Sequence, residues 1–262
     1  DLSAVVTGLL LAMNLPALNM GAHPIAVFAM PIIGSLFSIV IAKMLFGGLG
    51  QNFINPALAG RAFLVASYPT LMTGSAFVPT NFMKGVDAAT YATPLAQIKE
   101  AGALNTSFFD LLVGNCGGTI GETCAIALIL GGVYLIVKKV ISWRTPVVYI
   151  ATVLVLTYIF KLSGIEAASA RQPIQELFAG GLMLGAFFMA TDYASTPVTP
   201  KGKIIMGLGC GIITVLIRVF GGYPEGVSYS ILLMNLAAPL IGRYTAPKKF
   251  GYVKPVKVKE VK

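Results

Sequence analysis

The chain has 262 residues, of which 56% are hydrophobic and 11% charged, with a formal net charge of +9. Soluble domains carry about a quarter charged residues. A mean hydropathy of +0.82 leaves too little polar surface for a soluble fold of this size, so cytosolic enzymes, disordered chains and nucleic-acid binders are excluded. The basic residues sit in short loops and a tail between apolar runs, as in a membrane protein. Three cysteines and one histidine make neither a disulfide framework nor a His-built metal site or triad. Cys116 and Cys124 leave a pair or a cluster open, against the plainer reading as small membrane residues. The chain starts at Asp1 with no charged stretch before its first apolar run, so no signal peptide is visible.

Eight apolar segments follow in order: 4–15, 25–45, 53–68, 120–140, 146–162, 177–190, 204–220 and 227–241. A long polar stretch, 73–117, separates the third from the fourth. The tail, 243–262, holds Arg243 and six lysines. Placing the 139–145 loop in the cytoplasm puts the 46–52 loop, the 191–203 loop and the tail there too. That side then holds 13 Lys and Arg residues against 5 outside, with Arg61 inside a segment. This is the orientation that the positive-inside rule favours, and it places 73–117 outside. The first and sixth segments, at about 14 residues, reach only about 21 Å of a core about 30 Å thick.

Those two short segments resemble each other: Gly8-Leu9-Leu10-Leu11-Ala12 and Gly181-Leu182-Met183-Leu184-Gly185. Each precedes one long segment and then the same tripeptide, Phe46-Gly47-Gly48 and Phe220-Gly221-Gly222, at offsets of 173 and 174 residues. Constant offset and order imply an internal repeat. The copies lie five segments apart, so they cross the membrane in opposite directions, with short helices paired at the repeat interface. The expectation is an all-α, multi-pass bundle built five plus five, with eight segments present and the first two helices missing before Asp1. The divisions are 1–72 (the rest of the first repeat), 73–117 (the outer loop), 118–242 (the second repeat) and 243–262 (the basic tail).

The outer loop carries Thr90-Tyr91-Ala92-Thr93-Pro94-Leu95. This Ser/Thr-x-Ala-Thr pattern resembles the flavin-attachment motif of the NqrB/RnfD family, membrane subunits of ion-pumping electron-transfer complexes. Ser3 to Ala12, Asn55-Pro56-Ala57, Gly121-Glu122-Thr123, Phe188-Met189-Ala190-Thr191-Asp192 and Arg218 to Pro224 are similar to the family in the same order, and favour RnfD over NqrB. The resemblance implies covalent FMN in a phosphoester to the Thr93 hydroxyl, attached by a separate flavin transferase. The commoner motif has Ser and Gly in its first two places. Thr90 keeps the hydroxyl, whereas Tyr91 replaces a residue without a side chain.

Other residues have less specific roles. Lys84 and Lys99 flank the motif as candidate phosphate partners or as solvated loop charge. Asp87 orders the turn before Thr90, Ala92 and Thr93 or serves the site. Arg61, the one basic residue well inside an apolar segment, requires a partner or a cavity; a flavin phosphate, a quinone-like or riboflavin ligand, a helix end and a structural ion pair are all open to it. Asp192 with Thr191 offers hard oxygens to a cation or caps its own turn. Asn14 and Asn235 satisfy broken-helix backbone.

The resemblance implies an electron relay: a multi-pass subunit of the bacterial inner membrane, in a ferredoxin:NAD oxidoreductase complex of the Rnf type coupled to Na+ or H+ movement. Its partners are the other Rnf subunits, the flavin transferase and lipid, with no nucleic acid. A second, non-covalent flavin is open by analogy with NqrB but has no motif here. The alternative is a channel or transporter of the urea/ammonium-channel architecture, since inverted repeats do not fix function.

Overall fold

The computed structural model describes residues 2–16, 24–72, 93–101, 106–165 and 171–247. Among these, every regular element is helical, and extended backbone pairs only in the isolated bridge between Pro16 and Thr119. The all-α membrane class read from composition is what the chain forms.

Helix α1 is Ser3–Met13. Helix α2, Pro24–Leu36, continues through a π-turn at Phe37–Ile41 and a 3-10 turn at Met44–Phe46. Together they make a 23-residue apolar rod, long enough to cross a membrane. Helix α3, Pro56–Ser67, begins where Asn55 Oδ1 accepts from the backbone N–H groups of Ala57 (3.1 Å) and Leu58 (3.3 Å), with Pro56 at the first helical position. A short turn, α4 (Pro69–Met72), follows. The stretch 73–117, expected as a loop, contains two short helices among its described residues: α5 (Pro94–Ala101) and α6 (Phe108–Val113).

Helices α7 (Ala125–Val137) and α8 (Arg144–Leu162) come next. The sixth apolar segment is split. Helix α9 covers Pro173–Phe178, Gly180 turns the chain at φ +69°, and α10 (Leu182–Leu184) runs on as a π-turn over Gly185–Met189. Helices α11 (Pro200–Phe220) and α12 (Val227–Thr245) complete the bundle. Besides the α2 rod, α8 and α11 are long and apolar enough to span.

Small residues set the tightest packing. A side chain at Gly207 would meet Thr145 O at 2.7 Å, and one at Gly211 would meet Thr152 Cβ at 2.5 Å, so α11 presses its backbone onto α8. The fully buried Tyr149 of α8 locks this contact, its hydroxyl hydrogen-bonding to Thr214 (2.6 Å) and Ser230 (2.9 Å). Leu11, Leu58, Leu182, Met206 and Ile231 share the main apolar core. Outward residues such as Phe28, Ile32, Leu130, Val155 and Leu236 are apolar and exposed, as lipid-facing surface is.

The loops sort into two ends. Asn52 donates to Asp192 Oδ2 at 3.3 Å, Tyr193 donates to Val140 O, and the Thr199 and Thr245 hydroxyls meet at 2.6 Å. The 46–52, 139–145 and 191–203 loops and the end of α12 therefore gather at one end. Helix α5, the 114–124 turn, Gly180 and the 221–226 turn gather at the other. The two Phe-Gly-Gly copies adopt different backbones: Gly47 is left-handed at φ +108°, whereas Gly221 sits at φ −78°.

Candidate cofactor cleft

At the α5 end an open cleft is lined by Thr93, Leu95, Arg61, Val65, Glu122, Glu225 and Tyr229 among others. Thr93 and Arg61, both singled out in the sequence, are thereby brought into one site. Thr93 precedes α5, and its Oγ1 accepts from Ala96 N–H at 3.2 Å. It is the N-cap of that helix, so its hydroxyl lies where unpaired N–H groups and the helix dipole favour an anion. The helix is held down at both ends. Leu95 packs against Gly180, where a side chain would lie 2.6 Å from Leu95 Cδ1, and Lys99 Nζ donates to Gly221 O. Burial, with Arg171 nearby, holds the Lys99 amine below its usual range. One cleft wall carries the stacked rings of Tyr223 and Tyr229, 5.4 Å apart at 30°.

Arg61 is buried and fully engaged. Its Nη1 donates to Asn14 Oδ1 (3.0 Å), Ser228 Oγ (3.0 Å) and Glu122 Oε1 (3.3 Å), and its Nη2 to Glu225 Oε2. Glu225 Oε1 also accepts from Gly181 N–H at 3.0 Å. Of the four roles open to Arg61, the ion pair is the one its geometry fills. A side chain at Gly181 would lie 2.5 Å from Glu225 Oε1 and 2.7 Å from Glu122 Oε1, so only glycine fits between the two acids. Burial pushes the Glu225 carboxyl up, but the Arg61 guanidinium outweighs it and holds it below the usual carboxylate range. Burial also pushes the Cys116 thiol up, helped by Glu122 and Asp110.

Neither Glu122 nor Glu225 was singled out from the sequence as a site residue. Both lie in turns at segment ends, where an acid resembles solvated loop charge. The signal was the demand of Arg61 for a carboxylate partner within an apolar chain. A second buried network was also missed: Arg171 pairs with Glu176, which accepts from Thr157 at 3.3 Å, while Arg218 Nη1 donates to Glu176 O at 3.0 Å.

Asp192 lies at the opposite end. Its carboxylate accepts from Ser195 Oγ (2.8 Å), Ala194 N–H (3.5 Å) and Asn52, which is turn-capping geometry. Thr191 instead bonds Phe187 O at 2.7 Å. No cluster of three His, Cys, Asp or Glu occurs among the described residues. Asn14 and Asn235 serve broken backbone as expected. Asn14 donates to Leu10 O at 2.7 Å. Asn235, with its amide oriented to satisfy its neighbours, donates to Ser195 O (3.1 Å) and Ile231 O (3.2 Å). The three cysteines are free. Lys84, Asp87, Thr90 and Ala92 lie outside the described residues.

Fold and cleft together define a class: a multi-pass helical membrane protein with broken helices meeting at a buried charge cluster beneath an open, largely apolar cleft. Within that class, the chain belongs to the NQR2, RnfD, RnfE family, whose pattern it matches over residues 1–251. It is 52% identical over 258 residues to the D-type subunit of the Na(+)-translocating ferredoxin:NAD(+) oxidoreductase complex of Acetobacterium woodii, covering 97% of this chain and 74% of that protein. It is 48% identical over 260 residues to the D-type subunit of the proton-translocating ferredoxin:NAD(+) oxidoreductase complex of Clostridium ljungdahlii, covering 96% and 75%. The D-type subunit of the ion-translocating oxidoreductase complex of Pseudomonas paraeruginosa is 37% identical over 269 residues, covering 97% and 76%.

Proposed function

We propose that this chain is the D-type membrane subunit of an Rnf-type ferredoxin:NAD+ oxidoreductase, and that it relays electrons through FMN joined by a phosphoester to Thr93. The observation that carries the reading is the position of Thr93. Its hydroxyl caps α5 at the edge of a cleft lined by segments from Arg61 to Tyr229.

The residues present fit the group. A phosphoester on Thr93 Oγ1 would sit at a helix N-terminus, where the Leu95 N–H has no helical partner and the Ala96 N–H already points at Oγ1. The Tyr223–Tyr229 pair, Val65 and Leu95 offer flat and apolar contact to a ring system. Bound there, the flavin would supply one- and two-electron chemistry, while the chain supplies position and electrostatics. Lys99 and Leu95 keep α5 against the bundle, and Arg61 with its two acids forms the floor. The charge asymmetry of the loops supports a periplasmic or external cleft and a cytoplasmic C-terminus. One relative is named for sodium and another for protons.

The test is to express the chain with a flavin transferase, denature it in detergent and illuminate the gel. Flavin fluorescence should mark the wild-type band and vanish in Thr93→Ala. A denatured wild-type band without flavin, when a known acceptor is flavinylated in the same cells, sinks the reading.

A further inference from the structure

Two buried carboxylates share one guanidinium as their direct partner, while the nearest other buried cation, Arg218, is bonded to the carbonyls of Glu176 and Ala179. The acids are not equivalent. Glu225 is well supplied, with Arg61 Nη2 on one oxygen and Gly181 N–H on the other. Glu122 accepts from Arg61 Nη1 at 3.3 Å, a nitrogen shared with Asn14 and Ser228, and has the Thr119 side chain beside it. The two carboxyls lie within hydrogen-bonding reach of each other, and both Oε1 atoms crowd the same point beside Gly181, so one proton can be shared between them. Buried carboxylates this close do not both ionise. The other charged and titratable groups facing the pair are Arg218 towards Glu225, Tyr223 and Tyr229 from the α12 side, and Cys116 from the 114–124 turn.

We infer that Glu122 is a neutral carboxylic acid at physiological pH, and that the Glu122–Glu225 pair holds one proton, exchanged with the occupant of the cleft when that occupant gains or loses negative charge. Burial and the neighbouring Glu225 both push the Glu122 carboxyl up, which agrees. The exchange balances simply. Glu122 would release its O–H proton and become a carboxylate when one electron from a partner's reduced centre adds one negative charge to the cleft, and the open mouth of the cleft would supply the replacement proton from water. That second half rests on the redox reading above, whereas the shared proton does not.

The experiment is infrared spectroscopy of the purified complex, in wild type and in Glu122→Gln, Glu225→Gln and Thr93→Ala. Wild type at neutral pH should show a protonated-carboxyl C=O band that shifts in D2O. Glu122→Gln removes it, and its amide, which imitates the neutral acid, leaves the fold intact by circular dichroism. Glu225→Gln also removes it, although Glu122 is still present, because Glu122 then becomes the only partner of Arg61 and ionises. A folded Glu225→Gln protein that keeps the band overturns the pair, and so does a wild type that never shows one. The band should persist in Thr93→Ala, which separates failure of this inference from failure of flavin attachment. Rapid reduction of the flavin-loaded wild type should bleach the band transiently, before the replacement proton arrives from water, and a band unchanged at every delay in time-resolved spectra would overturn the exchange.

Discussion

Removing Arg61 should be the most damaging single change near the cleft, and the structure says by how much. Arg61→Gln deletes the guanidinium that binds Glu225 and donates to Asn14, Ser228 and Glu122. Glu225 keeps the Gly181 N–H, at 3.0 Å, and its contact with the Glu122 carboxyl, but no cation bonded to it. Stranding a buried carboxylate by removing its partner costs about 3–5 kcal/mol, or about two to three and a half orders of magnitude in the folding equilibrium. Glu225→Gln should cost less, about 1–2 kcal/mol, because Glu122 remains to neutralise Arg61 and the new amide oxygen still accepts from Gly181. The double variant removes both charges, so its loss should fall short of the sum of the singles by about 0.5–3 kcal/mol. The assay is SDS-driven unfolding in mixed micelles followed by circular dichroism, run as a double-mutant cycle. Additive losses, or an Arg61→Gln loss below about 1 kcal/mol, would refute the assignment of this cluster as a coupled buried pair.

Two smaller predictions follow from the same structure. Asn55→Ala removes both the cap of α3 and the Nδ2 bond to Met189 O at 3.3 Å; the cap alone is worth about 1 kcal/mol, and the same unfolding assay should read at least that loss. Cys116, whose thiol is pushed up by burial, Glu122 and Asp110, favours the folded state while protonated. Its contribution is full below the ordinary thiol range and is lost as pH rises above it. Maleimide labelling of the native protein should therefore be slow at neutral pH and accelerate only in alkali, and Cys116→Ser should flatten the alkaline loss of stability.

The sequence exposed part of this site and concealed the rest, for identifiable reasons. Arg61 stood out because a charge inside an apolar run is costly wherever it lies. Thr93 stood out through its motif. Glu122 and Glu225 did not, since their roles depend on two turns, far apart in the chain, meeting under one arginine. The eight apolar segments were legible because membrane helices need long apolar stretches. Their internal breaks were less so. The Gly180-Gly181 pair that splits the sixth segment was visible, but its left-handed turn follows from packing against Leu95. The π-turns at Phe37–Ile41 and Gly185–Met189 follow from tertiary fit, as with Gly60 against Ser38 and Gly132 against Phe187, and no residue pattern announces them.

The contacts of Arg61 also bear on how the molecule can move. Asn14 and Arg61 belong to the N-terminal helices, and Glu122, Glu225 and Ser228 to the C-terminal ones, so this single side chain rivets the two groups together. Met189 adds a second fastening, through its carbonyl to Asn55 and its sulfur to Asn14 at 3.7 Å. A transporter that works by rocking one bundle over the other must break its central contacts in every cycle. Here each such stroke would tear a buried cation from its counter-ions. The described helices of the two groups are therefore pinned to each other at this cluster, and parting them would mean breaking it.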